Sequence, residues 1–364
     1  MQLSNNQQAF LALVRAGLWE KEVQLASFGQ IDFNEVYRLA EEQSVVGLVA
    51  AGIEHIVDVK VPQEVALQFA SIALQIEHRN EELDTFIVKL VSRLRGKEIF
   101  GLIVKGQGVA QCYERPKWRA SGDVDLLLDE ENYEKAKSCL IPIAYDVKEE
   151  ACEAMHQELS IMGVVVELHG KMPFGMSKKA DRIIGNVINE SLHTGAVNAW
   201  RIDNTDVFIP NPDNHVLLVF THYLRHFFIE GVGLRQICDW CRIIWSYSKI
   251  INVTLLEKRL HSMGLTSEWK TFSALAVNTL GIPQDTMPLF DITYRKRGER
   301  VLNNVLKRGN FGHNNDLSYR VKYKGFAYNI VSLWRRMCDF AGFTLIFPLD
   351  APRFFFSYLF NKVK

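Results

Sequence analysis

The feature that most constrains this chain is a change of period. Up to about residue 95, apolar residues recur at helical spacings: Phe10, Leu11, Leu13, Val14 and Leu18, then Val36, Leu39, Ala40, Val45, Leu48 and Val49. Ala66 to Arg95 is a long amphipathic run. Its outer positions (Glu77, Arg79, Glu81, Glu82, Lys89, Arg93, Arg95) read as a solvated helix face. At Ile99 the pattern breaks. Phe100 to Val104 is a short β-rich apolar run that suits a strand covered on both faces. Asp123 to Asp129 alternates acid with aliphatic, the two-residue period of a strand. Such a chain must enclose a sheet between helices.

The elements between and after these runs follow from breakers and caps. Gly106 and Gly108 stop the first run, and Val109 to Tyr113 reads as a short helix. Glu131 to Leu140 is helical, Ile143 to Val147 extended, and His156 to Met162 with Val164 to His169 form a hairpin about Gly163. Helical patterning returns from Lys171 to Ile188. Trp200 to Ile209 is a second hairpin turning at Asp203-Asn204, and Asn211-Pro212-Asp213 caps an apolar helix beginning near His215. The remainder is helical, interrupted around Gly309 to Asn315. The expected fold is α+β, an α/β core with a mixed sheet over residues 96–210. Helical domains at 1–95 and 211–364 flank it, a division that suits a chain of 364 residues.

Composition excludes some partners. Lys+Arg and Asp+Glu both number 42, so no bulk positive field draws the chain to a long nucleic acid. Met1 to Gly17 lacks the basic start and cleavage site of a leader, and Ser4 with Gln7 reads as a helix capping box. Phe340 to Phe347 is too short to cross a bilayer and is stopped by Pro348. Six cysteines in a chain this long are not a disulfide framework, which leaves reduced thiols and a cytoplasmic location as the expectation.

The chemistry concentrates between Leu102 and Leu128. Asp123 and Asp125 are two apart on a strand, so both side chains share a face, and like charges that close require a cation. Glu167 lies among valines in VVVELHG, where a carboxylate is costly without a task. Three converging carboxylates suit Mg²⁺, which keeps its other positions for water and phosphate. Lys105-Gly106 ends a strand and Gln107 opens a short helix, a turn whose N–H groups and lysine can hold a polyphosphate. The plainer reading is a half-wet surface strand and an ordinary strand end. The order of these motifs, with Glu167 following, favours a site.

Lys105-Gly106, the Tyr113, Pro116 and Arg119 segment, Gly122-Asp123-Val124-Asp125-Leu126-Leu127 and Val166-Glu167-Leu168-His169 together resemble the nucleotidyltransferase superfamily of DNA polymerase beta type. More closely they resemble its branch of uncharacterised bacterial nucleotidyltransferases, over roughly residues 35 to 245. The resemblance implies Asp123, Asp125 and Glu167 as catalytic metal ligands, with Glu167 also a general base. It places Lys105, Gly106 and Gln107 beside the phosphates of a nucleoside triphosphate, with Mg²⁺ or Mn²⁺ as cofactor. One departure stands out: the superfamily follows its glycine with Ser or a second Gly, and this chain has Gln107. A catalytically inactive protein that retains the fold and binds nucleotide or a partner is therefore the alternative. The acceptor, whether small molecule, saccharide or protein, has no signature here.

His222 and His226 share a helix face, and Cys238 and Cys241 follow at Cys-x-x-Cys spacing, which is compatible with zinc. Cysteines on an apolar helix are more often core residues. In the resembled family a His-containing helix is followed by a loop, an Arg and an Asp, matched here by His222, Arg235 and Asp239; with His226 these would line the nucleotide or acceptor side of the cleft. His169 is either an outer neighbour of the metal or a strand cap. The aromatic tail from Phe354 to Phe360, with Arg353, Lys362 and Lys364, is read as docking onto the helical domain, with contact to a membrane surface as the lesser alternative.

Overall fold

Ser4 starts the first helix, α1 (Asn5–Trp19), by the reciprocal device read in the sequence. Its hydroxyl accepts from the Gln7 N–H, and the Gln7 side chain accepts from the Ser4 N–H. The computed structural model describes residues 3–315, 318, 322 and 324–362. After α1 come α2 (Phe33–Glu42), capped by Asp32, and α3 (Val46–Glu54). Gly17 and Gly52 sit where α1 and α3 cross, and a Cβ on either would strike the facing backbone. The long helix α4 (Gln63–Arg95) then buries Leu83, Phe86, Ile87, Leu90 and Leu94 under the sheet.

The sheet has five strands in the order β1-β2-β5-β4-β3: β1 (Leu102–Ile103), β2 (Asp123–Leu127), β3 (Asp146–Val147), β4 (His156–Ile161) and β5 (Val164–His169). Only β2 and β5 run parallel, joined through α6 (Glu130–Leu140) and the hairpin of β4 and β5; the other pairs are antiparallel. The mixed sheet of the expected α+β fold is therefore present, with helices flanking it. Side-chain alternation divides its two faces. Val124, Leu126, Leu159, Ile161, Val166 and Leu168 enter one apolar cluster with Ile87, Leu90 and Tyr133. Asp123, Asp125, Glu158, Glu167, His156 and His169 take the opposite face.

Two strands are shorter than their apolar runs. β1 lies at the sheet edge and pairs with β2 alone, so only Leu102 and Ile103 form a ladder before the chain turns at Lys105-Gly106. Pro142 helps hold Ile141–Ile143 in a 3₁₀ turn, leaving two residues for β3. The next helix, α7 (Lys178–His193), begins later than its periodicity suggests because Ser177, past Pro173 and Gly175, supplies the cap.

A second hairpin, β6 (Val197–Ile202) with β7 (Thr205–Pro210), turns at Asp203-Asn204, and Asp203 takes a left-handed φ of 50°. Asn211 caps α8 (Pro212–Ile229) with proline at its first position. Gly231-Val232-Gly233 joins it to α9 (Leu234–Tyr247), and α10 (Val253–Met263), α11 (Thr266–Leu275), α12 (Arg295–Arg308), α13 (Gly325–Thr344) and α14 (Asp350–Lys362) follow. The tail docks through Phe354, which is fully buried with its ring 5.2 Å from those of Phe174 and Phe228. Phe356 faces outward, and Lys364 together with the side chains of Phe360 and Lys362 lies outside the described residues. No helix among the described residues is long and apolar enough to cross a membrane.

Candidate active site

Register assembles the polar face of the sheet. The parallel pair sets Asp125 opposite Glu167, and the antiparallel hairpin sets Glu158 opposite Glu167 and His156 opposite His169. Residues directly opposite one another across a ladder have Cβ atoms roughly 5 Å apart, close enough for their side chains to touch. Asp125 is the deepest of the carboxylates, 1% exposed. Its Oδ1 accepts from Lys105 Nζ at 2.5 Å and lies 2.8 Å from His169 Nε2. That imidazole nitrogen is also 3.3 Å from Glu167 Oε2, and His156 Nε2 is 3.4 Å from the same oxygen.

Charge explains how these groups coexist. Burial raises the Asp125 carboxyl, but Lys105 and His169 outweigh burial and hold it below the usual range. Burial likewise opposes ionisation of Glu167, and hydrogen bonds from His156 and His169 overcome it. Burial would lower His169, yet its bonds to Asp125 and Glu167 leave it above its ordinary value. Asp123 is different. Burial and the neighbouring Asp125 charge push it up by more than the nearby Lys105 and Arg235 charges bring it down.

The turn after β1 is held against this row. Val104 N–H donates to the Asp125 carbonyl at 3.2 Å, and Gly106 takes φ 55°, where a side chain would be strained and its Cβ would come within 3.1 Å of the Asp123 carbonyl. The short helix α5 (Gln107–Ala110) follows. The Gln107 side chain is buried, donating to Asp84 Oδ1 at 2.6 Å and accepting from Ser121 Oγ at 3.0 Å. Lys105 Nζ also lies 3.1 Å from His222 Nε2, which is 2.9 Å from His226 Nε2, and His226 Nδ1 is 2.8 Å from Glu230. Burial, then the Lys105 ammonium, keeps His222 neutral.

Arg119, Arg235 and Asp239 gather beside the entry to β2. Arg119 grips Asp239 in a buried bidentate pair at 2.8 and 2.7 Å, Tyr113 donates to the same carboxylate at 2.7 Å, and Arg235 donates to the Ala120 carbonyl at 2.8 Å. The positive charges of Arg119 and Arg235 both act on Asp123. The structure thus brings Lys105, Asp123, Asp125, Glu167, His169 and His222 together, with Arg119, Arg235 and Asp239 as a neighbouring cluster.

The histidine–cysteine zinc arrangement that the spacing allows does not assemble, and the cysteines take the core positions favoured in the sequence. Cys238 and Cys241 are fully buried in the apolar core, where burial raises both thiols, while His226 bonds to His222 and Glu230. Among the described residues, the only three side chains grouped closely enough to hold one ion are His156, Glu167 and His169. His156 is not among the candidate residues that the sequence singles out. A hairpin centred on Met162-Gly163 places position 156 opposite 169, so its placement was legible from the turn.

A family model described as an uncharacterised nucleotidyltransferase matches residues 29–281, a span holding every residue above. The chain belongs to this nucleotidyltransferase family. No curated protein and no solved structure matches it. Membership supports nucleotidyl transfer as the general reaction class. In this nucleotidyltransferase Asp123, Asp125 and Glu167 share one face and repel one another, a strain that a hard cation would relieve, although their oxygens are not gathered as tightly as the ligand atoms of His156, Glu167 and His169.

Proposed function

We propose that the protein is a Mg²⁺-dependent nucleotidyltransferase, acting in the cytoplasm, that moves a nucleoside monophosphate from an NTP to a hydroxyl or phosphate acceptor. The observation that carries this reading is the Asp125–Glu167 register pair, with Asp123 two residues away on the same face. Asp123, Asp125 and Glu167 would hold Mg²⁺ or Mn²⁺, which supplies charge neutralisation for the triphosphate. Lys105 and the Gly106–Gln107 turn would lie against the phosphates, and Arg119, His169, His222, Arg235 and Asp239 would shape the surrounding cleft.

The acceptor oxygen attacks the α-phosphorus, an O–P bond forms, and the bond to pyrophosphate breaks. When the acceptor is a hydroxyl its proton is released to solvent, because the two imidazoles hold the Glu167 carboxylate ionised and make it a weak base. Much of the rate enhancement comes from positioning and charge compensation. The acceptor belongs to small molecules, saccharides or proteins rather than long nucleic acid, given equal numbers of acidic and basic residues.

Calorimetric titration of ATP, CTP, GTP and UTP in Mg²⁺ tests the reading. Binding of at least one should weaken by tenfold or more in an Asp123→Asn, Asp125→Asn variant, and equal binding would sink it. One observation favours a second reading. The Lys105 ammonium already occupies Asp125 Oδ1, as it would in a binding protein that retains the fold without turnover. Pyrophosphate release with a competent acceptor separates the enzyme from the binding protein.

A further inference from the structure

Oxygen ligands suit Mg²⁺, yet the polar face of the sheet ends in nitrogen. His156 and His169 are opposite one another in the hairpin, their rings 4.9 Å apart, and both present Nε2 to Glu167 Oε2. The two nitrogen-to-oxygen separations are 3.4 and 3.3 Å. These are longer than the roughly 2.7–2.9 Å of a strong charge-assisted hydrogen bond. They match the edge of a tetrahedron, about 3.3 Å, around an ion with ligand bonds of about 2.05 Å. All three ligand atoms lie within 4.8 Å of one another.

We infer that His156, Glu167 and His169 form a transition-metal position of the two-histidine, one-carboxylate type beside the Asp123–Asp125 pair, sharing Glu167 with it. Imidazole nitrogen favours Zn²⁺, Co²⁺ or Fe²⁺ over Mg²⁺, and three protein ligands leave a coordination position for water or substrate. Neighbouring side chains are consistent with this. Lys105 is paired with Asp125, and the ion-pair partners of Glu167 among the described residues are the two imidazoles. His169 lies 2.8 Å from Asp125 Oδ1. Release of that contact frees its Nε2 for the ion.

The inference deepens the reading of the same carboxylate face, but its readout needs neither nucleotide nor turnover. Metal-stripped protein is titrated with Co²⁺ and followed by visible absorption, then challenged with Zn²⁺ and, separately, Mg²⁺. One equivalent of Co²⁺ should give the intense bands of a four- or five-coordinate ion, displaced by Zn²⁺ and not by a hundredfold excess of Mg²⁺. His156→Gln should weaken Co²⁺ binding tenfold or more. The His156 side chain is 33% exposed, and the circular dichroism of the variant verifies that the fold survives. Asp123→Asn should leave the bands in place, even though it removes a ligand of the proposed Mg²⁺ position. Absent bands, displacement by Mg²⁺, or equal Co²⁺ affinity in wild type and His156→Gln would overturn the inference. Loss of NTP binding in the Asp123→Asn, Asp125→Asn variant, with Co²⁺ bands absent from wild type, would leave nucleotidyl transfer standing and this metal position refuted. The reverse pattern would do the opposite.

Discussion

Lys105 Nζ lies 2.5 Å from Asp125 Oδ1, so the ammonium that ends the edge strand neutralises the most buried carboxylate of the adjacent strand. Strand, turn and site are thereby joined in one contact. Lys105→Ala would leave Asp125 without its main positive neighbour. Breaking one half of a buried pair costs about 3 kcal/mol. Urea unfolding in EDTA should show a loss of this size, and saturating Mg²⁺ should recover more stability in the variant than in wild type.

Arg119→Lys is expected to behave as a disruptive change despite conserving charge. The guanidinium makes two parallel bonds to Asp239 and a third to Ser121 Oγ at 2.6 Å. An ammonium cannot reproduce that fork. The loss should be about 2 kcal/mol in urea unfolding, and Tyr113→Phe, which removes one further bond to the same carboxylate, should cost about 1 kcal/mol.

Gln107→Ser tests whether the unusual residue in the turn obstructs phosphate. Its side chain is already engaged with Asp84 and Ser121, so shortening it should not improve NTP binding. The expected result is an affinity within about threefold of wild type, alongside a stability loss of about 1 kcal/mol from the unpaired neighbours. A tenfold gain in affinity would mean that Gln107 blocks the triphosphate.

His215 should govern acid sensitivity. It is fully buried, its Nε2 donates to the Val104 carbonyl at 3.0 Å, and burial lowers its pKa to about 4 from an ordinary 6.5. Because the folded value is depressed, the neutral imidazole's contribution is complete above the unfolded pKa. It is lost as pH falls towards the folded one. Each unit of difference corresponds to about 1.4 kcal/mol. Between pH 7.5 and pH 4.5, wild type should therefore lose about 2 to 3 kcal/mol more than His215→Gln in urea unfolding.

The local parts of the fold were legible because local rules dictate them. The Ser4–Gln7 box, the hairpin about Gly163 and the Asn211 cap all formed as read. The lengths of β1 and β3 were not, since an apolar run does not reveal how many of its residues find a ladder partner. At the site, alternation in β2 put Asp123 and Asp125 on one face. The sequence could not disclose that Asp239 lies against Arg119 and Tyr113, or that Lys105 reaches both Asp125 and His222. Those contacts join residues more than a hundred positions apart, except for Lys105 with Asp125, where the turn geometry decides.

The parallel pairing of β2 with β5 has a consequence for assembly. Antiparallel neighbours can close through a short turn, whereas Asp125 and Glu167 meet only after α6 and the intervening hairpin have been threaded into place. A chain with its helices formed and that one ladder open would have the carboxylates but no common locus for them. Were these carboxylates to hold a divalent ion as proposed, its capture during refolding would act as a clock for closure of the sheet, lagging helix formation.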